Sequence, residues 1–129
     1  MVGWGDNSDG QASSPANLTN ATAIAAGGMH NLALRADRAV VGWGSHWFDA
    51  TNPPASATNV VAISAGYGHS LALRADGKVI GWGDEEFGLT NSPVSATNVA
   101  AIAAGYSHNL ALRADGTVIA WGWNEFSQT

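Results

Sequence analysis

Apolar and polar residues alternate with a period of two along several short segments of the chain. Within His69–Asp76, Leu71 and Leu73 fall on one face of an extended strand and Arg74 on the other. Asp76-Gly77, a dipeptide typical of two-residue hairpin turns, precedes the next apolar run. Because no apolar stripe with the helical period of about 3.6 residues appears, the pattern predicts an all-β chain built from hairpins.

The same pattern returns every 39 residues. Three sets of identical residues share this spacing: Trp4, Trp43, Trp82 and Trp121; Ile24, Ile63 and Ile102; His30, His69 and His108. The chain therefore divides into repeats at 1–39, 40–78 and 79–117, and the surplus segment 118–129 repeats the opening phase. The second and third repeats are identical at 26 of 39 positions. We interpret residues 1–129 as a single domain of tandem repeats.

Each repeat predicts a small antiparallel sheet of three to four strands. A short apolar run closed by glycine comes before each hairpin, and we expect these runs to be strands buried on both faces: Thr22–Ala26, Val60–Ala65 and Val99–Ala104. A proline follows each of the first three Trp-Gly pairs, at positions 15, 54 and 93, and indicates a loop or an edge strand. The first hairpin has Asp37-Arg38 at its turn, where we expect a looser or different turn because arginine tolerates positive φ poorly.

A small sheet cannot bury both faces alone, so such repeats must stack, and radial stacking gives a β-propeller. The motif Ala-Ile-x-Ala-Gly-x-x-His-x-Leu-Ala-Leu-Arg-Ala-Asp-Gly-x-Val-Ile-x-Trp-Gly resembles the regulator of chromosome condensation repeat. The short period and the opening Val2-Gly-Trp-Gly-Asp-Asn are similar to the bacterial branch that includes a beta-lactamase inhibitory protein. The resemblance implies propeller blades, seven to a ring in the family, and a protein-binding role without enzymatic activity.

Three repeats cannot close a ring, because propellers have at least about four blades. Each open side would expose an apolar sheet face, so we expect the chain to associate with copies of itself or to be a piece of a longer array. Two copies would give the favoured six-bladed ring, and three copies would give nine blades. The surplus Trp-Gly strand exceeds what a closed ring needs, so one copy of it should fray or be exchanged between chains.

Composition narrows the function further. The chain is 46% hydrophobic and only 12% charged, with a net charge of −5, which disfavours nucleic acid as a partner. No cysteine is present, and no apolar run reaches the roughly 18 residues of a membrane span. We expect neither a membrane association nor a signal peptide in the sequence as given, and the compartment stays undetermined.

Residues common to all repeats are best explained by what every blade needs. Trp43, Leu32 and Leu34, with their equivalents, are predicted core. The repeated histidines could in principle meet at a metal, but we favour a structural role in which a ring nitrogen satisfies a backbone group. The arginine two residues before each turn aspartate predicts an ion pair within the blade. We therefore expect no metal and no cofactor.

Variation concentrates in the loop after each Trp-Gly pair, and loops on a fixed scaffold commonly carry binding function. Aromatic side chains in these loops and in the loops beside the repeated histidines are the main candidates. The predicted binding residues are Trp47, Phe48, Phe87, Trp123, Phe126, Tyr67, Tyr106, His46, Glu85 and Glu86, together with Met29 in the loop beside the first repeated histidine. Neutral drift in a tolerant loop is the alternative.

Two sets of side chains have groups that catalysis could use. Asp84, Glu85 and Glu86 form an acidic cluster, and His46 with Asp49 could pair as a base and its orienting group, but no serine or cysteine nucleophile accompanies them. We expect a non-enzymatic protein-interaction or self-assembling scaffold. The alternatives are an excised or engineered repeat array whose only function is assembly, and a carbohydrate-binding propeller lectin.

Overall fold

The computed structural model describes residues 2–129, so Met1 of the first repeat lies outside the described part of the chain. Each repeat forms one three-stranded antiparallel sheet, here called a blade, with its second strand in the centre. The strands are β1 (Ala21–Ala26), β2 (His30–Arg35) and β3 (Val40–Gly44) in blade 1; β4 (Val60–Ala65), β5 (His69–Arg74) and β6 (Val79–Gly83) in blade 2; β7 (Val99–Ala104), β8 (His108–Arg113) and β9 (Val118–Gly122) in blade 3. The predicted all-β architecture is confirmed, with the lower of the two predicted strand numbers.

The three blades share one register. Ile24 pairs with Ala33, and the same pairing recurs 39 and 78 residues later. A bulge also recurs near the start of each first strand, between Ala21 and Ala23 in blade 1. Because a one-residue slip would turn every side chain to the opposite face, this shared register gives all three blades the same pair of faces.

The hairpin turns differ from the two-residue turns that the sequence predicted. Only one residue of each turn has positive φ. In blade 2 this residue is Gly77, with φ 77°, and its amide donates a hydrogen bond to the Arg74 carbonyl at 3.0 Å. This is a type I turn followed by one left-handed residue. The expected deviation of the first turn is also wrong: Arg38 takes φ 64° and repeats the bond to Arg35 at 2.9 Å. Arginine thus holds a conformation that glycine adopts more easily.

Neighbouring blades pack face to face through two apolar clusters. Leu32 and Leu34 of β2 pack with Ala72 and Trp82 of blade 2. Leu71 and Leu73 repeat this arrangement against Ala111 and Trp121 of blade 3, and all four leucines are at least 95% buried. The core assignment of the leucines is therefore confirmed at the two internal junctions, which we call seams.

The two outward faces depart from the predicted core. Trp43 is only half-buried, and Leu110, the blade-3 equivalent of Leu32, is 37% exposed. The first strands are not buried on both faces, and β1 is the most open, with Ile24 66% exposed. Trp43, Leu110 and Ile24 lie on faces that have no neighbouring blade, which is the physical reason for their exposure. The internal strand β4 has a blade on each side and nevertheless leaves Val61 45% exposed. Within residues 2–129 no helix has the length and apolar character needed to cross a membrane.

Candidate functional site

One end of every blade carries two adjacent loops. The loop that precedes the central strand lies beside the loop that follows the outer strand, and a backbone hydrogen bond joins them in each blade. The bonds run from Ser45 to Met29 at 2.9 Å, from Asp84 to Gly68 at 2.9 Å and from Trp123 to Ser107 at 2.8 Å. We call this the aromatic end, because it gathers all the predicted aromatic binding residues.

Phe48 and Phe87 project from this end on strained backbone. Each lies in a single 3-10 turn, Trp47–Asp49 or Glu86–Gly88, with φ of 61° and 57°. Each side chain is 51% exposed, although positive φ costs a bulky residue on the order of 1–3 kcal/mol. Phe126, at the same repeat position, is 76% exposed. About half of the Phe48 and Phe87 side chains is therefore accessible to solvent, and the other half packs within the loops as a structural anchor would.

The aromatic residues form separate groups rather than one patch. Trp123 contacts Phe126 edge-on at 5.1 Å and Phe87 at 6.3 Å between ring centroids. Trp47 contacts Phe48 at 6.4 Å. Their neighbours in the loops before the central strands are Tyr67 and Tyr106, whose rings stack at 4.3 Å and 22°.

The polar candidates lie at the same end of the blades. His46 is exposed and its Nδ1 lies 3.1 Å from the Thr51 hydroxyl, while Asp49 accepts a bond from Asn52 at 3.0 Å. Glu85 and Glu86 are exposed. A pairing of His46 with Asp49, which the sequence made conceivable, is absent from the described hydrogen bonds, and each side chain has a different partner.

Charge is strongly divided between the two ends of the blades. The loops of the aromatic end and the equivalent opening loop hold seven carboxylates and no lysine or arginine: Asp6, Asp9, Asp49, Asp84, Glu85, Glu86 and Glu125. The five basic residues lie at the other end, around the hairpin turns: Arg35, Arg38, Arg74, Lys78 and Arg113. There the predicted ion pairs are confirmed, at 2.7, 3.1 and 3.2 Å. The positions of the charged residues within each repeat are the sequence signal for this division.

The repeated histidines join neighbouring blades. His30 Nε2 lies 2.8 Å from the Ser70 hydroxyl, and His69 Nε2 lies 2.7 Å from Asn109 Oδ1, so each bond crosses one seam. The predicted bond to a backbone group is wrong in this respect, because the partner is a side chain of the next blade. Burial lowers the pKa of His30 to about 4, with a further contribution from the charge of His69. Burial likewise lowers the pKa of His69.

The glycine three residues before each repeated histidine is the sequence signal for the buried ring. A Cβ on Gly66 would come within 2.6 Å of His69 Nδ1, so only glycine leaves room for the ring. Within residues 2–129 no three side chains of the metal-binding types come together.

The two outward faces are the second candidate surface. On blade 3, the face that we call the C-flank exposes Leu110, Leu112 and Val118 at 37, 42 and 62%. The equivalent blade-2 residues, Leu71, Leu73 and Val79, are at most 5% exposed inside a seam. On blade 1, the opposite face exposes Ile24 and part of Trp43; we call it the N-flank. The C-flank therefore has the leucine side of a seam, and the N-flank has the isoleucine and tryptophan side.

Three small antiparallel sheets that share one register and stack face to face define a segment of a β-propeller. Residues 60–89 and 99–128 match the family model of the regulator of chromosome condensation (RCC1) repeat. The second and third blades are thus similar to the RCC1 repeat, as the sequence resemblance implied, and the first blade has the same fold. No curated protein matches the chain in sequence.

Solved structures support the same fold. Yeast RCC1 (Prp20), crystallised with Kap60, superposes with a TM-score of 0.77 at 24% identity, over 95% of this chain and 39% of that one. Prp20p from Saccharomyces cerevisiae, described with its binding properties to Gsp1p and histones, gives 0.77 at 22% identity, over 95% and 41%. The ectodomain of the Physcomitrella patens receptor kinase CR4 gives 0.75 at 25% identity, over 92% and 34%. The chain spans about two-fifths or less of these proteins.

Proposed function

We propose that the chain is a non-enzymatic protein-interaction scaffold that completes its propeller with a second copy of itself. The observation that carries this proposal is the complementarity of the flanks: the C-flank offers the leucine row, and the N-flank offers the isoleucine and tryptophan face that such a row packs against at both internal seams. Two copies joined head to tail give six blades, within the usual range of about four to eight. Three copies would give nine.

A polar contact also favours the junction between the C-flank of one copy and the N-flank of the next. His30 and His69 each bond a side chain 40 residues further along, and the position equivalent for His108 is Asn31 of a following copy. Asn31 already donates to the Gln11 carbonyl at 2.8 Å, as Asn109 donates to Leu89 at 2.9 Å, which leaves its Oδ1 for the histidine. We expect the His108–Asn31 contact to form between copies, where it would satisfy both polar groups as the seam closes.

The aromatic end is the surface that we propose for a protein partner. Its exposed aromatic residues suit interface contacts, and its carboxylates favour a partner with a cationic surface. Prp20p is described with binding to Gsp1p and histones, which is consistent with a protein-binding role for this fold. The similarity to the bacterial branch, the engineered-array alternative and the lectin alternative stay predictions, and binding to one sugar family on a glycan array would favour the lectin.

The test of self-assembly is the solution mass, measured by light scattering after size exclusion over a dilution series. We expect a species of twice 13.2 kDa that dissociates reversibly on dilution. A mass three times that of the chain would replace the six-bladed ring by nine blades. A chain that remains a monodisperse monomer at every concentration would contradict self-assembly and favour coverage of the flanks by further blades of a longer array.

A second measurement tests the aromatic end. Trp47→Ala and Phe87→Ala remove exposed side chains, so we expect the solution mass and the unfolding transition to stay unchanged while binding of a lysine-rich and arginine-rich peptide weakens. Arg74→Ala at the opposite end is the matched control and should leave the peptide affinity unchanged. Equal loss of affinity in all three variants would contradict a site at the aromatic end.

A further inference from the structure

Two segments of this chain have the same place in the repeat. Residues 2–12 and 119–129 are separated by three repeats of 39, so Trp4 corresponds to Trp121 and Gln11 to Gln128. In a ring closed by two copies, the end of one copy and the beginning of the next would meet at the same position. Only one of the two segments can occupy it.

The internal seams show what this position does. The Ala50 carbonyl, which precedes blade 2, accepts bonds from Trp82 Nε1 and the Ser70 hydroxyl, both at 2.8 Å. The Leu89 carbonyl does the same for blade 3, accepting from Trp121 Nε1 at 3.1 Å and from Asn109 at 2.9 Å. Each blade is therefore held by one carbonyl of the loop that leaves the preceding blade.

Blade 1 is held in this way by the chain's own opening segment. The Gln11 carbonyl accepts bonds from Trp43 Nε1 at 3.1 Å and from Asn31 Nδ2 at 2.8 Å. A cavity of about 310 Å³ nevertheless remains on the N-flank between this segment and the sheet, lined by Val2, Trp4, Ile24 and Trp43 among others. The opening segment thus supplies the carbonyl without filling the apolar face.

The two segments are anchored very differently. Residues 118–122 form β9, which pairs with β8 from Leu112–Val118 to His108–Gly122, and Trp121 is 7% exposed. Residues 2–5 belong to no strand, and Val2 and Trp4 are 81% and 86% exposed. Releasing the opening segment therefore breaks no ladder hydrogen bond, whereas releasing β9 would remove an outer strand from blade 3.

We propose that, at each seam between copies, residues 123–129 of one copy displace residues 2–12 of the next and take their place on blade 1. This inference rests on the proposed self-assembly. The Gln128 carbonyl then accepts the bonds from Trp43 and Asn31 of the neighbouring copy, so no polar group of blade 1 loses a partner. The opening segment is released to solvent.

The exchange also extends the aromatic end. Phe48 lies over Gly68, since a Cβ there would come within 2.9 Å of the Phe48 ring. The equivalent of this pair across the seam between copies is Phe126 of one copy over Met29 of the next. In the separate chain Asp9 occupies the position equivalent to Phe126. Exchange therefore replaces a carboxylate by an aromatic ring beside a thioether, a favourable contact.

Hydrogen exchange with mass spectrometry on the full chain, above and below its dissociation concentration, tests which segment is displaced. On assembly we expect amide exchange in residues 123–129 to slow by at least tenfold and exchange in residues 2–12 to accelerate. Slower exchange in residues 2–12, together with labile residues 118–122, would show that the opening segment displaces β9 and would overturn the inference.

A matched pair of exposed positions provides an independent readout. Phe126→Ala should weaken the dimer by about tenfold, whereas Asp9→Ala should leave its affinity within about twofold. The opposite ranking would overturn the proposed exchange. Light scattering on the same samples separates the two levels: a dimer with the wrong exchange pattern contradicts this inference alone, whereas the absence of a dimer contradicts the proposed function and this inference with it.

Discussion

The internal seams and the open flanks contain nearly the same residues in opposite environments. Leu71 and Leu73 are buried between blades 2 and 3, while Leu110 and Leu112 have the same register on the C-flank and remain 37% and 42% exposed. The same contrast separates Trp82 from Trp43 on the other side. Burial in this fold is therefore decided by whether a neighbouring blade is present rather than by the local sequence.

The strongest test of this contrast replaces the same residue in both environments. Leu71→Ala creates a cavity inside a seam and should lower the free energy of unfolding by about 2–5 kcal/mol. Leu110→Ala removes a half-exposed side chain and should lower it by less than about 1 kcal/mol in the monomer. Urea unfolding at concentrations where the mass is monomeric gives both values, and equal losses would contradict the distinction between seam and flank.

Acid should weaken the first internal seam. The pKa of His30 is about 4 when folded, below its ordinary value of 6.5, so the unfolded chain binds more protons between these values. Stability from this group is complete above about pH 6.5 and is lost as the pH falls towards 4, by on the order of 3 kcal/mol. We expect His30→Gln to flatten the dependence of unfolding free energy on pH, and an unchanged slope would contradict the assignment.

Asn109 and Asn31 extend the comparison between seam and flank to a polar residue. Asn109 is fully buried and bonds both His69 and the Leu89 carbonyl, so Asn109→Ala should destabilise the monomer by about 1–3 kcal/mol. Asn31 is half-buried, and in the proposed ring its Oδ1 would accept the bond from His108 of the neighbouring copy. Asn31→Ala should weaken the dimer more than the monomer. A dimer affinity equal to that of the original chain would contradict the His108–Asn31 contact.

The smallest expected effect concerns the turns, which differ by one residue. Arg38 has the left-handed conformation that Gly77 and Gly116 have in the other blades. Arg38→Gly relieves this strain and should raise the free energy of unfolding by about 1 kcal/mol, whereas Gly77→Ala should lower it by a similar amount. Thermal unfolding of both variants against the original chain checks the opposite signs.

Much of the fold could be predicted because the spacing is regular. The period of 39 residues and the alternation around Leu71 gave the blades, and the arginine and aspartate positions gave the ion pairs. The turn at Arg38 could not be predicted from its own sequence, because the sheet register imposes a conformation that arginine disfavours. The positive φ of Phe48 and Phe87 could not be predicted either, because no residue type in the local sequence signals it.

The candidate site, like the fold, could be predicted only in part. Its position in the loops after Trp-Gly followed from the variation between repeats, and the structure brings Phe87, Trp123 and Phe126 together. The partners of the histidines did not follow, because a bond between residues 40 apart depends on the stacking of blades. Sequence periodicity describes one blade well, whereas contacts between blades require their three-dimensional arrangement.

The central claim is that the C-flank of one copy binds the N-flank of the next, and complementary single-flank variants test it most directly. Leu112→Asp alters only the C-flank, and Ile24→Asp only the N-flank. By light scattering, each variant alone should be monomeric, while an equimolar mixture should form a dimer through the one unaltered pair of flanks. A dimer of either variant alone, or a mixture that stays monomeric where the original chain is dimeric, would contradict head-to-tail closure of the propeller.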